Sequence, residues 1–136
     1  MDCIFCKIIK GEIPCNKIYE DENVLAFLDI SPVNKGHTLV IPKKHCTNVF
    51  DADEETLCNI SKAVKKIAKA MRLALGIEGV NIQTNNGQTS GQVVMHLHTH
   101  IIPRYKGDGL KLWPQGKYKD KEAEEIKEKI VSFIKE

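Results

Sequence analysis

Four short segments of the chain are apolar or alternate between apolar and polar residues, and turn-forming residues bound each of them. They lie at residues 17–19, 24–29, 36–42 and 80–84. Runs of this length that are rich in β-branched residues are typical of strands. The polar turn at residues 20–23 separates the first two segments, so these two are predicted to form a hairpin.

The period changes to about 3.6 residues after Asp53, which predicts one long amphipathic helix. The apolar positions of this helix are Leu57, Ile60, Val64, Ile67, Met71 and Leu75. Asp53 is a suitable N-cap, and Gly76 is a suitable residue to end the helix in a left-handed conformation. Shorter helical patterns occupy residues 7–11, where Gly11 is the stop, and residues 122–134.

Three of the five histidines stand at every second position, as His96, His98 and His100. The surrounding residues favour a fifth strand that begins near Val93 and ends at Pro103. Alternate side chains of a strand share a face at about 6.6 to 6.8 Å spacing, so we expect a row of imidazoles on one side of the sheet. A neutral imidazole can attack an electrophile or bind a metal, and two histidines at this spacing can share a zinc ion. The residues alone leave both chemistries open, beside the simpler interpretation as solvated surface histidines.

Cys3 and Cys6 form a second group of reactive side chains. A cysteine pair at this spacing is half of a thiolate metal site or a redox dithiol, unless the two residues are unrelated. The redox form normally follows a strand of a βαβ unit, and no strand can precede position 3. His45 lies just beyond the third predicted strand and would supply an imidazole ligand if these thiols bind a metal, since Cys2His2 sets are typical of zinc.

The segment before the histidines, residues 85–92, consists of eight small or polar residues. It is too long for a tight hairpin between two strands. Such a loop can turn its backbone N–H groups and amide side chains toward an anion beside the histidines. An ordinary solvated loop has the same composition, so only the position of this loop favours a binding role.

The length of 136 residues predicts a single domain, residues 1–136. The 20 basic and 18 acidic residues give a net charge of +2, which does not indicate a nucleic-acid partner. The sequence shows neither the pattern of a signal peptide nor an apolar run long enough for a membrane span. Five cysteines, an odd number, favour reduced thiols or metal ligands over disulfides. We therefore expect a cytoplasmic protein without a membrane partner.

Several motifs resemble, in the same order, those of the histidine triad (HIT) family, specifically its small Hint branch of nucleotide-binding hydrolases. The most specific is His-Leu-His-Thr-His-Ile-Ile-Pro-Arg at residues 96–104. The others are Cys-Ile-Phe-Cys at residues 3–6, Phe-Leu-Asp-Ile-Ser-Pro at 27–32, Gly-His-Thr-Leu-Val-Ile-Pro-Lys-Lys-His at 36–45 and the loop at 85–92. The resemblance covers a core of about residues 3–104, and residues 105–136 form a C-terminal extension that resembles the branch only loosely.

The resemblance implies an α+β fold, in which a five-stranded antiparallel sheet is combined with one long central helix and short terminal helices. It also implies a homodimer that joins two such sheets. His98 would be the nucleophile that attacks the α-phosphorus of a purine nucleoside phosphoramidate or related nucleotide, and water would then hydrolyse the nucleotidyl-histidine. His100 and His37 would donate to the phosphate or orient their neighbours. Cleavage of dinucleoside polyphosphates and a non-catalytic nucleotide-binding regulatory dimer are the alternatives.

The same resemblance implies a pocket for a purine mononucleotide. Asp29 would bind the ribose, because one carboxylate can accept from both hydroxyls. The apolar slot for the base would be formed by Phe5, Ile8, Phe27 and Ile30. The phosphate would meet His98, His100, Asn85 and the backbone at Gly91, Gln92 and Val93. Many members of the branch carry a serine where this chain has Val93, so we expect a lower phosphoramidase efficiency.

Many bacterial members of the branch hold one structural zinc ion with a cysteine pair and two histidines. The matching residues in this chain are Cys3, Cys6, His45 and His96. The resemblance therefore implies that His96 faces a metal and that His98 stays free. It also implies that the chemistry itself needs no metal.

Overall fold

The protein folds around one five-stranded antiparallel sheet, seen in a computed structural model that describes residues 2–134. The helices are α1 (Ile4–Ile9), α2 (Glu54–Leu75) and α3 (Glu122–Phe133), with one 3-10 turn at Gln88–Ser90. The strands are β1 (Lys17–Glu20), β2 (Val24–Leu28), β3 (Thr38–Pro42), β4 (Gly79–Thr84) and β5 (Thr99–Arg104). Their order across the sheet is β1-β2-β3-β5-β4, so β1 and β4 are the edges. The predicted α+β fold with five antiparallel strands and one long helix is confirmed.

Both faces of the central strands are covered, because successive residues of a strand point to opposite faces. On one face, α2 packs its apolar stripe on the sheet, in a cluster that includes Val24, Ala26, Val40, Ile60, Val64, Ile67, Met71, Leu97 and Ile101. On the other face, the short α1 packs Phe5 in a smaller cluster with Leu25, Phe27, Leu39 and Ile41. The second face is the one on which the histidines lie.

The ends of α2 are as predicted. The Asp53 carboxylate accepts a hydrogen bond from the Thr56 N–H at 2.8 Å, and Gly76 has φ of 64°. The first helix begins earlier than the pattern at residues 7–11 predicts. It starts at Ile4 because the Sγ atom of Cys3 accepts a hydrogen bond from the Cys6 N–H at 3.4 Å and caps the first turn.

The fifth strand differs from the prediction at both ends. It begins at Thr99 rather than near Val93, and it continues through Pro103 to Arg104. Pro103 is compatible with the strand because its carbonyl points to the side of β3, beyond the last paired residue Ile101, and accepts from Asn34 Nδ2 at 2.9 Å. The nitrogen and the carbonyl of a strand residue point to the same side, so the missing proline N–H removes no hydrogen bond from the ladder with β4.

The segment before β5 is held by side chains rather than by strand pairing. The Gln92 side-chain amide donates to the carbonyl oxygens of Thr47 at 2.7 Å and Val94 at 3.0 Å. The Leu97 N–H donates to the Cys46 carbonyl at 2.8 Å. These bonds fix a bend where the alternating pattern predicts a strand, because local side-chain bonds compete with the ladder.

The loop between β2 and β3 is tied to the end of β5 by a buried carboxylate. Asp108 accepts hydrogen bonds from Arg104 Nε at 2.8 Å, the Tyr105 N–H at 3.0 Å and Asn34 Nδ2 at 3.0 Å. The Tyr105 hydroxyl donates to the Lys35 carbonyl at 2.6 Å. This network holds the loop, which carries the predicted site residues Asp29, Ile30 and His37, in one position.

The C-terminal extension adds little to the core. None of the residues of α3 is buried. The predicted apolar side of this helix, which includes Ile126, Ile130 and Phe133, is exposed. Among the described residues, none of the helices combines the length and the apolar character that a membrane span needs.

Replacing Gly36 by alanine is expected to destabilise the protein by about 2 to 4 kcal/mol. Gly36 has φ of 97°, and a Cβ atom there would lie 2.9 Å from Leu75 Cδ1 and 3.2 Å from Pro103 Cγ. Gly11→Ala is the matched control, because φ is 81° but no atom of the described residues lies within 4 Å. We expect about 1 kcal/mol for the control, measured by urea unfolding. Equal losses would show that the close packing at Gly36 contributes nothing.

Candidate catalytic and metal-binding site

The three histidines of the row lie side by side, as the alternation predicts. The ring centroids of His98 and His100 are 5.1 Å apart, and Phe5 of α1 meets His96 at 5.8 Å and His98 at 5.2 Å, edge to face. Leu97 points the other way, into the cluster beneath α2. The three histidines therefore lie on the same face, although only His100 lies within β5.

His98 is held in one tautomer by a backbone carbonyl. Its Nδ1 atom lies 2.7 Å from the carbonyl oxygen of His96. Because a carbonyl can only accept, the proton must be on Nδ1, and Nε2 carries the free lone pair. The side chain is 7% exposed, so the ring is fixed among its neighbours and still reached from one side. This arrangement suits a nucleophile.

His37 and His100 form a chain whose proton positions are also fixed. The Val33 N–H donates to His37 Nδ1 at 3.1 Å, so the proton of His37 is on Nε2. That Nε2–H donates to His100 Nδ1 at 2.9 Å, which leaves the proton of His100 on its own Nε2. Within residues 2–134, this buried His100 Nε2 has no hydrogen-bond partner. The chain of imidazoles therefore ends in a donor without an acceptor among the described residues, and a ligand would have to supply one.

Burial keeps these two imidazoles neutral. Burial, together with smaller effects of the neighbouring His98 and His37, lowers the pKa of His100 to about 4, against the carboxylate of Asp29. Burial also lowers the pKa of His37, again opposed by Asp29. Both rings are therefore uncharged near pH 7, which is the state that the tautomer assignment requires.

Asp29 lies beside this pair at the end of β2. Its Oδ1 accepts a hydrogen bond from the Ser31 N–H at 2.8 Å, and its Oδ2 is 3.8 Å from His37 Nε2. The second distance is too long for a hydrogen bond, so Oδ2 can accept from a ligand hydroxyl. Asp29, His37 and His100 also bring one ligand atom each within 4.8 Å of the others. The two imidazoles are already hydrogen-bonded to each other, which makes these three residues less suited to bind a metal.

The four residues predicted for the base slot do not all lie together. Phe5 and Phe27 are buried with ring centroids 5.7 Å apart, and Ile8 packs at the edge of their cluster. Ile30 is 93% exposed on the loop after β2. Three of the residues thus form an apolar wall beside His98, while Ile30 can contact a ligand only from the surface.

Two of the three loop amides predicted to face phosphate are engaged within the loop. The Gly91 N–H donates to the Gln88 carbonyl at 3.0 Å, and the Gln92 N–H donates to the Gly87 carbonyl at 3.2 Å. The Gln92 side chain is buried and accepts from the Gly87 N–H at 2.9 Å. These two residues therefore shape the loop.

Val93 and Asn85 are placed differently from that pair. The Val93 side chain is 87% exposed, and its N–H has no acceptor in the described part of the chain. Asn85 is half-buried beside Gly91, where its Nδ2 would lie 3.6 Å from an added Cβ atom. Of the three amides, the Val93 N–H is the one that remains available to an anion.

Four side chains that could hold a metal ion converge next to the histidine row. His96 Nδ1 lies 3.3 Å from Cys3 Sγ, 3.7 Å from Cys6 Sγ and 3.0 Å from His45 Nδ1. A tetrahedral zinc ion with ordinary bond lengths would space such atoms about 3.3 to 3.8 Å apart. The four residues therefore fit zinc in number, type and spacing.

The metal-facing nitrogen of His96 is selected by a second backbone carbonyl. His96 Nε2 donates to the Pro42 carbonyl at 2.8 Å, so the lone pair is on Nδ1, toward the sulfurs. Burial lowers the pKa of His96, and the nearby His45 and His98 lower it further, against the bond to Pro42. The ring is thus neutral, which is the form that ligates a metal.

Sequence reasoning did not identify which backbone groups set these tautomers. They are the Val33 N–H and the carbonyl groups of Pro42 and His96. It also missed Asn34 and Asp108, which fix the loop that carries Val33. Backbone groups occur at every position and leave no sequence signal. The separation of 74 residues hides the contact between Asn34 and Asp108.

Comparison with known proteins matches residues 10–107 to the HIT domain family model. The chain is 52% identical over 128 residues to an uncharacterized HIT-like protein of Methanocaldococcus jannaschii, covering 94% of this chain and 98% of the relative. It is 44% identical over 137 residues to the adenosine 5′-monophosphoramidase of Schizosaccharomyces pombe, covering 99% and 100%. An adenylylsulfatase of Arabidopsis thaliana is 43% identical over 109 residues, covering 80% and 55%.

Solved structures of related proteins show the same fold. A HIT family protein from Bacillus subtilis superposes with a TM-score of 0.92 at 48% identity, covering 100% of this chain and 99% of the other. A histidine triad family protein from Mycobacterium smegmatis, described as Zn-bound, superposes with a TM-score of 0.79 at 42% identity, covering 86% and 85%. Family model, relatives and structures agree, and the chain belongs to the HIT domain family.

Proposed function

We propose that the protein hydrolyses purine nucleoside phosphoramidates or related nucleotides at the α-phosphorus, through a covalent intermediate on His98. The observation that carries the proposal is the bond of 2.7 Å from His98 Nδ1 to the His96 carbonyl. It leaves the Nε2 lone pair of a buried ring free for attack. The relatives from S. pombe and A. thaliana bear the names of hydrolases, and on that ground the chain is assigned to the hydrolases.

The first step forms a bond between His98 Nε2 and phosphorus. The bond from phosphorus to the leaving amine breaks, and its electron pair goes to the amine nitrogen, which takes a proton from water. Charge on the phosphoryl oxygens is stabilised by the His100 Nε2–H, which has no other acceptor among the described residues. The exposed Val93 side chain offers no hydroxyl to the leaving group, so water must serve in that role.

The second step returns the enzyme to its starting state. A water oxygen attacks phosphorus, the bond between phosphorus and Nε2 breaks, and its electron pair returns to Nε2. The proton that the attacking water loses neutralises the hydroxide that the first step left. The nucleoside monophosphate leaves with the water oxygen. Throughout, the His96 carbonyl stabilises the positive charge that forms on the His98 ring, because the Nδ1–H bond to this carbonyl is stronger when the ring is charged.

The nucleotide is positioned by residues on both sides of His98. In this proposal the free Oδ2 of Asp29 accepts from the ribose hydroxyls, and the base lies against the apolar wall of Phe5 and Phe27. The Val93 N–H meets the phosphate. An apolar wall binds the large faces of purines without distinguishing strongly between adenine and guanine.

We further propose that Cys3, Cys6, His45 and His96 hold one zinc ion. Support comes from their spacing and from the relative described as Zn-bound. A bound zinc ion would supply a structural cross-link between the N-terminal segment and the sheet. Cysteines outside the cluster are unpaired, which suits the reducing cytoplasm in which we place the protein.

The proposed homodimer uses the free edge of β4. This strand pairs with β5 on one side, and its other side offers unpaired backbone groups. Ile82 on β4 is 51% exposed. Antiparallel pairing of β4 with the same strand of a second copy would join the two sheets and cover the free edge of each.

The test of the proposed function is to trap the intermediate. The protein is mixed with adenosine 5′-phosphoramidate and quenched in denaturant at neutral to alkaline pH, because bonds between phosphorus and imidazole are labile in acid. Mass spectrometry is expected to find adenylate on His98. Turnover without an adduct, or an adduct elsewhere, would contradict the mechanism. An adduct from diadenosine polyphosphate that forms faster would favour that substrate, and binding of AMP without turnover would favour the regulatory dimer.

The stability of the protein is expected to fall between pH 6.5 and pH 4 because of His100. Burial holds the pKa of folded His100 at about 4, below its ordinary value near 6.5. As the pH falls through this window, the unfolded chain binds a proton that the folded chain does not, so unfolding becomes easier. The contribution of His100 declines by at most about 1.4 kcal/mol per pH unit.

The measurement is urea unfolding of the wild type and His100→Asn at several pH values. Both proteins keep the cysteine and histidine cluster, so its own acid sensitivity cancels in the difference. The advantage of the wild type over the variant should shrink by about 3 kcal/mol between pH 7.5 and pH 4. A difference that does not change with pH would mean that folded His100 titrates normally.

A further inference from the structure

We propose that the metal centre and the nucleotide pocket are thermodynamically coupled through α1, so that metal loading raises nucleotide affinity and nucleotide raises metal affinity. The inference rests on the proposed function, because it concerns the same pocket. Two separate contacts connect the four metal-binding side chains to groups that the nucleotide meets. One runs through the helix α1 and the other through the backbone of His96.

The helix α1 depends on the cysteines for its position. It has six residues, and a helix this short is not stable in isolation. Cys3 is its N-cap and Cys6 is in its first turn, so both thiols of the cluster belong to this one element. The other ligands, His45 and His96, come from segments of the body of the protein. A metal bound by all four therefore fastens α1 to the body.

The same helix forms part of the nucleotide pocket. Phe5 is 6% exposed, and its ring lies 5.2 Å from His98 and 5.7 Å from Phe27. Ile8, one turn later, packs at the edge of this cluster. A shift of α1 would move the wall against which the base lies and would uncover one side of the His98 ring.

The second contact passes through a single residue. The His96 ring presents Nδ1 to the metal cluster, and the His96 carbonyl accepts the bond of 2.7 Å from His98 Nδ1. This residue lies in a bend outside the strand ladder, where fewer backbone bonds restrain it. Fixing its ring by a metal therefore also fixes the carbonyl that orients His98.

The coupling must be reciprocal, because both bound states use the same position of α1 and of the bend. If metal raises the affinity for nucleotide by some factor, nucleotide raises the affinity for metal by the same factor. Coupling of this kind typically amounts to a factor of about 5 to 150. We expect a factor of at least about 10 here, since a whole wall of the pocket depends on the metal.

The experiment measures a closed thermodynamic cycle with AMP as the probe. Calorimetry gives the Kd of AMP for the zinc-loaded and the chelated protein, and competition with a chromophoric chelator gives the Kd of zinc with and without AMP. Circular dichroism reports whether the chelated protein remains folded. Phe5→Ala removes the contact of α1 with His98 but keeps the contact through His96, so it should reduce the factor without bringing it to one. Cys58→Ser, an exposed cysteine of α2 outside the cluster, should keep the full factor.

Each result has one meaning. Equal AMP affinity in both folded forms would overturn the coupling and leave the proposed function intact, whereas failure of AMP to bind either form would overturn the proposed nucleotide pocket itself. If the chelated protein unfolds, the rate of zinc release from the loaded protein decides. Saturating AMP should then slow zinc release at least about tenfold in the wild type and by a smaller factor in Phe5→Ala. An unchanged release rate in the wild type would overturn the inference.

Discussion

Replacing His98 by asparagine is expected to lower kcat by at least about 10³-fold and to leave AMP binding within about threefold. The side-chain amide nitrogen of the introduced asparagine can take the place of Nδ1 and still donate to the His96 carbonyl, so the local bend should survive. The variant lacks any atom in the place of Nε2, and no bond to phosphorus can form. Steady-state kinetics with adenosine 5′-phosphoramidate and calorimetry with AMP measure the two effects.

His100→Asn is the matched comparison, because it also exchanges a histidine of the same row for an amide. It removes the Nε2–H donor but keeps the nucleophile, so we expect kcat to fall by about 10²-fold. The covalent adduct should still form in this variant and be absent from His98→Asn. Turnover by His98→Asn within tenfold of the wild type would remove His98 from the proposed role.

Removing zinc is expected to lower the melting temperature by more than about 10 °C. A ligand that binds only the folded state stabilises it by about 4 kcal/mol when its free concentration is 1,000 times Kd, and each kcal/mol shifts a domain of this size by about 3 to 5 °C. The effect should be this large because the four ligands join α1 to the sheet. Differential scanning calorimetry of the loaded and chelated protein measures it.

Two cysteine variants distinguish the effect of losing a metal ligand from the general effect of replacing a cysteine by serine. Cys3→Ser removes a ligand and should abolish most of the response of the melting temperature to zinc. Cys58→Ser changes an exposed thiol and should leave the response as in the wild type. A melting temperature that does not depend on zinc in the wild type would contradict the proposed site.

Local patterns were sufficient to predict most of the fold. The bounds of α2 follow from its apolar period and from the caps at Asp53 and Gly76, all of which act within one or two turns. The start of β5 could not be predicted in this way, because the alternation of His96 and His98 is that of a strand. The bend there depends on the contact of Gln92 with Thr47, which is 45 residues away.

The candidate site shows the same division between what is local and what is not. The residue types and the spacing of the histidines and cysteines indicated both chemistries, and the family resemblance separated His96 from His98. The particular groups that set their tautomers, an N–H and two carbonyl groups, could not be identified, because backbone groups leave no sequence signal. The exposure of Ile30 was likewise not predictable, since its neighbours Phe27 and Leu28 are buried or half-buried members of a strand.

The two tasks of His96 impose unequal demands on evolution. Its ring would serve the proposed metal site, whereas its carbonyl, which holds the His98 ring, is common to every amino acid. A descendant could therefore exchange the whole cluster for apolar packing, one substitution after another, and keep a functional His98 throughout. The requirement is only that the new side chains preserve the bend. A protein of this fold could therefore lose its bound metal and keep its activity.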